Sequence, residues 1–78
     1  MDYEAIDKYM SSYVVTSTKN GTRFYLTPEN YASDLFGRAK LIRWQDKAEE
    51  EAASQNGDFA WQGFKWEVMA VPEAMVQP

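Results

Sequence analysis

The chain has 78 residues, a formal net charge of −4 at pH 7 and no cysteine. Its composition is 45% hydrophobic, with Tyr 5, Phe 4 and Trp 3, which is enough bulky apolar material for one small core and argues against intrinsic disorder. The acidic balance disfavours binding to nucleic acid over the whole surface, and the missing cysteines exclude disulfides and thiolate metal sites. We therefore expect one domain over residues 1–78, stabilised by packing alone.

The first residues, Met1-Asp2-Tyr3-Glu4, are acidic and lack the basic and apolar regions of a signal peptide. No apolar run approaches the roughly 18 residues that a membrane span requires. The sequence therefore predicts a protein without a membrane partner, located in the cytoplasm.

The sequence offers little catalytic chemistry, because histidine is absent as well as cysteine and these residues supply most nucleophiles, bases and transition-metal ligands at neutral pH. Glu49, Glu50 and Glu51 are consecutive, so on a helix their side chains diverge by about 100° each and do not converge on one ion. The four glycines form no phosphate-binding loop. We expect no enzyme, no catalytic residue, no metal and no cofactor.

A β-hairpin is the clearest local signal. Two β-branched and aromatic runs, residues 14–19 and 22–27, are separated only by Asn20-Gly21, a dipeptide that accepts the two positive φ angles of a type I′ turn. Alternation along the second run places Phe24 and Leu26 on the core side. Tyr25 is expected on the opposite face.

The region after the hairpin is less distinct. Pro28 ends the second strand, since proline cannot donate to a ladder, and residues 31–37 are compatible with a short helical turn or a loop. Residues 39–44 alternate apolar and charged side chains up to Trp44, and we interpret them as a third strand.

A helix is predicted from Lys47 to about Gln55, with Asp46 as the N-cap and Gly57 in the left-handed position after its end. Its inner stripe is Ala48 and Ala52. The alternating residues 64–71 predict a last strand that Pro72 closes, and residues 73–78 are expected to form a flexible tail.

Apolar residues at three- and four-residue steps also favour a short first helix over residues 3–13. The predicted fold class is α+β: a mainly antiparallel sheet of about four strands (the hairpin, a third strand and the last strand), with the acidic, alanine-rich helix packed on one face and a short N-terminal helix.

Residues 12–71 contain the runs YVVTSTKNGTRFYLT, GRAKLIRW, DKAEEEAAS and FKWEVMAV. This order of hairpin, third strand, alanine-rich helix and final strand resembles small phage and prophage accessory proteins. The resemblance implies an origin in a mobile element. It also implies the usual task of such proteins, which is to bind and disable a host protein, as anti-CRISPR proteins and inhibitors of host RNA polymerase do.

Charge and aromatic residues suggest how such a protein would bind. Residues 45–58 carry a formal charge of −4 and residues 14–44 carry +3, so the acidic helix could occupy a basic groove of a host complex. More aromatic residues are present than one core needs, and exposed Trp and Tyr serve as interface anchors. The candidate partner-binding residues are Glu49, Glu50, Glu51, Trp61, Phe59 and Tyr25.

Two alternatives stay open for this surface. In one, the three glutamates only solvate a helix face; in the other, Phe59 and Trp61 only cover the end of the sheet. The first function we predict is a phage-encoded, monomeric inhibitor of a host defence complex that contacts a protein or ribonucleoprotein without direct nucleic-acid binding. The alternatives are a small structural or self-associating module and an inhibitor of host RNA polymerase.

Overall fold

The computed structural model describes residues 12–58 and 61–76. These form a four-stranded antiparallel sheet with a helix packed against it, so the α+β fold class is confirmed. The strands are β1 (Tyr13–Lys19), β2 (Thr22–Leu26), β3 (Ala32–Ser33) and β4 (Glu67–Ala70), in the spatial order β3-β2-β1-β4. The helices are α1 (Gln45–Asn56) and α2 (Val71–Val76). The predicted N-terminal helix falls almost wholly outside the described residues.

The hairpin has the predicted turn. Asn20 and Gly21 have φ angles of 55° and 80°, and Lys19 pairs directly with Thr22, as a two-residue type I′ connection requires. Central strand β1 then pairs with β4 on its other side, where Val15 lies opposite Val68.

One face of the sheet packs on α1. Val15, Leu26, Ala52 and Trp66 form its buried cluster. The Phe24 ring lies 5.6 Å from that of Phe64, which packs on the same cluster. The predicted inward direction of Phe24 and Leu26 is therefore confirmed, as is the inner stripe of the helix, since Ala48 is 0% and Ala52 5% exposed.

The opposite face of the sheet is buried as well. Val14, Tyr25, Val71 and Ala74 form a second cluster there, and the Tyr25 ring makes an edge contact with Phe36 at 5.5 Å. The expectation that Tyr25 is left over for an exposed surface is therefore wrong. The sequence pattern indicated a sheet covered on one side, whereas α2 and the 3₁₀ turn Phe36–Arg38 cover the other side.

The predicted third strand over residues 39–44 is also wrong. The third strand is the two-residue β3, and the later segment makes one isolated bridge, in which Tyr13 and Ile42 exchange backbone hydrogen bonds of 2.7 and 2.9 Å. Leu41 packs on the Tyr25 side of the sheet and Ile42 on the helix side. Side chains of this segment thus do alternate between the two sides of the sheet. The segment is nevertheless an extended stretch that passes the end of β2, and it is not a full strand.

Both ends of α1 differ from the expected capping. The helix begins at Gln45, its N-cap residue is Trp44, and Asp46 lies in the first turn without capping the helix. Gly57 is the C-cap with a φ of −80°, so it does not adopt the left-handed conformation.

The last strand is shorter than predicted, and residues 73–76 do not form a tail. Glu67 begins β4, and the chain enters α2 at Val71, where the amide donates to the Ser12 carbonyl at 2.9 Å. Pro72 stands at the second position of this helix, where proline needs no hydrogen-bond donor. Ala74 is 3% exposed, so this turn belongs to the core.

The close approach of α1 to the sheet gives a stability prediction. Ala52→Leu should lower the free energy of unfolding by roughly 1 to 3 kcal/mol, because added methylenes overpack a filled contact. Ala53→Leu adds the same atoms one residue further on, at an exposed position, and should change stability by less than about 0.5 kcal/mol. Urea unfolding of both variants tests this. Equal losses in the two variants would contradict the assigned orientation of α1.

Candidate functional site

The largest exposed aromatic side chain of the described residues is Trp44, which is 63% exposed. It lies where the extended segment after the 3₁₀ turn meets the first turn of α1, and the Ala48 amide bonds to its carbonyl. The Arg43 guanidinium carbon lies 5.7 Å from the centre of its ring, a distance at which a cation is attracted to the ring face. The exposed Trp44 ring therefore has the positive charge of Arg43 beside it.

Trp44 borders an open groove of about 660 Å³, which we call the Trp44 groove. One wall is the segment Lys40–Trp44, and the other is one face of α1, where side chains three and four residues apart are neighbours. The helix residues in this wall are Lys47, Glu50, Glu51 and Ser54.

Two ion pairs lie in the Trp44 groove. Lys40 Nζ is 3.5 Å from Glu51 Oε1, and Lys47 Nζ is 3.4 Å from Glu50 Oε2. All four side chains keep contact with solvent, so these pairs contribute little to stability. They are therefore available to exchange partners when a second surface approaches.

The three consecutive glutamates are divided between two sides of α1. Glu50 and Glu51 line the Trp44 groove. Glu49 instead lines a second open groove of about 530 Å³ between α1 and the last strand, which we call the β4 groove. The divergence expected from the helical repeat is confirmed. The run does not form one acidic face.

Trp61 is half-buried rather than fully exposed. Its indole Nε1 donates to Gln55 Oε1 at 2.6 Å, and its ring makes edge contacts with Phe64 and Trp66 at 5.3 and 5.0 Å. The structure thus supports the alternative in which Trp61 covers the sheet. Phe59 lies outside the described residues.

Asn56 holds this aromatic cover against α1. Its side-chain amide donates to the Trp66 carbonyl at 2.8 Å and accepts from the Trp66 amide at 2.7 Å. Both backbone groups of Trp66 are therefore satisfied by one side chain at the helix end. This fixes where β4 starts relative to α1, and so fixes the width of the β4 groove.

Sequence reasoning missed Trp44, because it was assigned to a strand that does not form. The signal that could have found it is its neighbourhood: Arg43, Gln45, Asp46 and Lys47 surround it, and no apolar residue follows before Ala48. A tryptophan at a helix start among polar residues has few core partners within reach.

In the part of the chain that the structure describes, no group of three or more Asp or Glu side chains is arranged to hold a metal ion. None of the described helices is long and apolar enough to span a membrane.

Comparison with models of protein families, with curated proteins and with solved structures finds no match to this chain.

The exposure of Trp44 predicts that it does not stabilise the fold. Trp44→Ala should change the free energy of unfolding by less than about 0.5 kcal/mol. Trp66→Ala, at a site 2% exposed, should cost about 3 to 5 kcal/mol through the cavity it leaves. Urea unfolding followed by circular dichroism compares them. A loss for Trp44→Ala close to that for Trp66→Ala would show that Trp44 is a core residue.

Proposed function

We propose that this protein acts by binding another protein, as a phage-encoded inhibitor that blocks a bacterial defence complex in the host cytoplasm. The observation that carries the proposal is Trp44, a 63% exposed tryptophan beside an open groove. Tryptophan and arginine are the residues most enriched among those that dominate binding energy in protein interfaces, and here Arg43 lies next to the ring.

The charges of the Trp44 groove favour a protein partner over a nucleic acid. Lys40, Arg43 and Lys47 stand among Glu50 and Glu51, so a phosphate backbone would meet repulsion as well as attraction. A protein surface can match mixed charges residue by residue, and such matching gives specificity and faster association. Leu41 and Ile42 also line the groove and are half-buried, so they leave some apolar area to bury near the tryptophan.

This assignment moves the proposed anchor from Trp61 to Trp44 and retains part of the acidic run. Glu50 and Glu51 belong to the contact surface, whereas Tyr25 belongs to the core. The proposal includes the absence of catalysis: the protein would inhibit by occupying a surface of its target. The resemblance to phage accessory proteins supports the biological setting.

The proposal is tested by infection of bacteria that each carry one characterised CRISPR–Cas system and produce this protein. Phage targeted by the system should form plaques when the wild-type chain is present. Trp44→Ala should abolish this effect, because truncating an interface tryptophan commonly costs about 2 kcal/mol or more of binding energy.

Leu35→Ala is the matched control, since Leu35 is 56% exposed and does not line the Trp44 groove; it should preserve plaque formation. Purified host RNA polymerase, assayed for transcription with and without the protein, tests the alternative target. Two results would contradict the proposal. In one, Trp44→Ala restores plaque formation as well as the wild-type chain does; in the other, the wild-type chain restores it in no strain.

A further inference from the structure

The outer edge of β4 has backbone groups without a described partner. In the antiparallel pair of β1 and β4, Tyr13 lies opposite Ala70, and Val15 lies opposite Val68. Tyr13 directs its own N–H and C=O to Ile42, on the far side of β1. Residues that face each other in such a pair point their backbone groups alternately toward and away from one another. The amides of Val68 and Ala70, and the Val68 carbonyl, therefore point outward.

No described residue pairs with this edge of the sheet, and β4 is the last strand in the order β3-β2-β1-β4. Val68 and Ala70 also line the β4 groove. The outward amides therefore lie beside an open space of about 530 Å³ between the strand and α1.

The charges around this space have one sign. Glu49 on α1, Glu67 on β4 and Glu73 on α2 line the β4 groove, and no lysine or arginine of residues 12–58 and 61–76 does. None of these three carboxylates forms an ion pair with a described residue, in contrast to Glu50 and Glu51. A ligand that brings positive charge would thus gain attraction from all three without breaking an existing pair.

We propose that the β4 groove binds an extended basic segment of a partner protein, which adds a strand to the sheet beside β4. Backbone hydrogen bonds to Val68 and Ala70 would supply affinity, and lysine or arginine side chains reaching Glu49, Glu67 and Glu73 would supply selectivity. This is a second contact surface, on the other side of α1 from the Trp44 groove, and it stands whether or not Trp44 binds a host complex.

A second copy of this chain is a poorer occupant for the same edge. Pairing of β4 with β4 around a two-fold axis would bring both copies of the three glutamates into one interface, and each chain already carries a net charge of −4. A charge on an edge strand is a common protection against such pairing. Glu67 therefore opposes self-association and favours a basic strand.

The test uses the full chain and a nine-residue synthetic peptide in which lysine alternates with valine or threonine. Titration followed by amide NMR should show that the peptide binds with a Kd of about 1 mM or lower. When the peptide is bound, hydrogen exchange at the Val68 and Ala70 amides should slow by about tenfold or more, because both amides become hydrogen-bonded. The same peptide with methylated backbone nitrogens on its pairing edge should lose this protection.

Two matched triple variants test the charges. Glu49→Gln, Glu67→Gln and Glu73→Gln together should weaken peptide binding by about tenfold, which corresponds to modest losses at three exposed sites. The control combines Glu29→Gln, Asp34→Asn and Asp46→Asn, which removes the same charge from exposed positions outside both grooves. It should weaken binding less than about threefold through net charge alone.

Several results would overturn the proposal. These are equal weakening in the two triple variants, unchanged exchange at Val68 and Ala70 in the bound state, and no binding at about 1 mM peptide. Protection of the two amides without peptide, together with a dimer mass in sedimentation, would assign the edge to a second copy instead. Since no readout involves Trp44, these failures are distinct from failure of the proposed inhibitor function.

Discussion

Burial of both faces of β1 is the constraint on which the rest of this structure depends. Four consecutive residues of the strand, 14–17, are buried. Val14 belongs to one cluster of the core and Val15 to the other, and Thr16 and Ser17 continue the alternation between the two faces of the sheet. The two buried hydroxyl groups have hydrogen-bond partners: Thr16 donates to the Phe24 carbonyl at 2.7 Å, and the Ser17 hydroxyl accepts from the Lys65 amide at 2.9 Å. A chain of 78 residues must therefore use nearly every long apolar segment as cover.

The need to cover both faces of β1 determines which aromatic residues remain exposed for binding. Tyr25 and Trp66 fill the core, and Trp61 covers the sheet beside α1. Trp44 stays outside because it lies where the chain turns from the end of β2 into the helix. The two grooves follow from the same geometry: a narrow helix lined inside by alanines leaves a depression on each side, one of mixed charge and one acidic.

Local signals in the sequence predicted the hairpin, the presence of α1 and its alanine stripe, since each depends on residues within a few positions of one another. The errors have a common cause. Whether Tyr25 faces solvent depends on α2 and on Phe36, which are distant in sequence, and alternation along one strand contains no information about a second covering layer. Trp44 was missed for the same reason, because its exposure depends on the passage of residues 39–44 past β2.

The two-sided core is tested most directly by urea unfolding of Val14→Ala and Val15→Ala, which remove the same atoms from opposite faces of β1. Both positions are almost fully buried, so a two-sided core predicts a similar loss from each, about 2 kcal/mol of unfolding free energy. Thr18→Ala, at an exposed position of the same strand, should have little effect. Loss of stability in Val15→Ala with none in Val14→Ala would show that only the face toward α1 is a core.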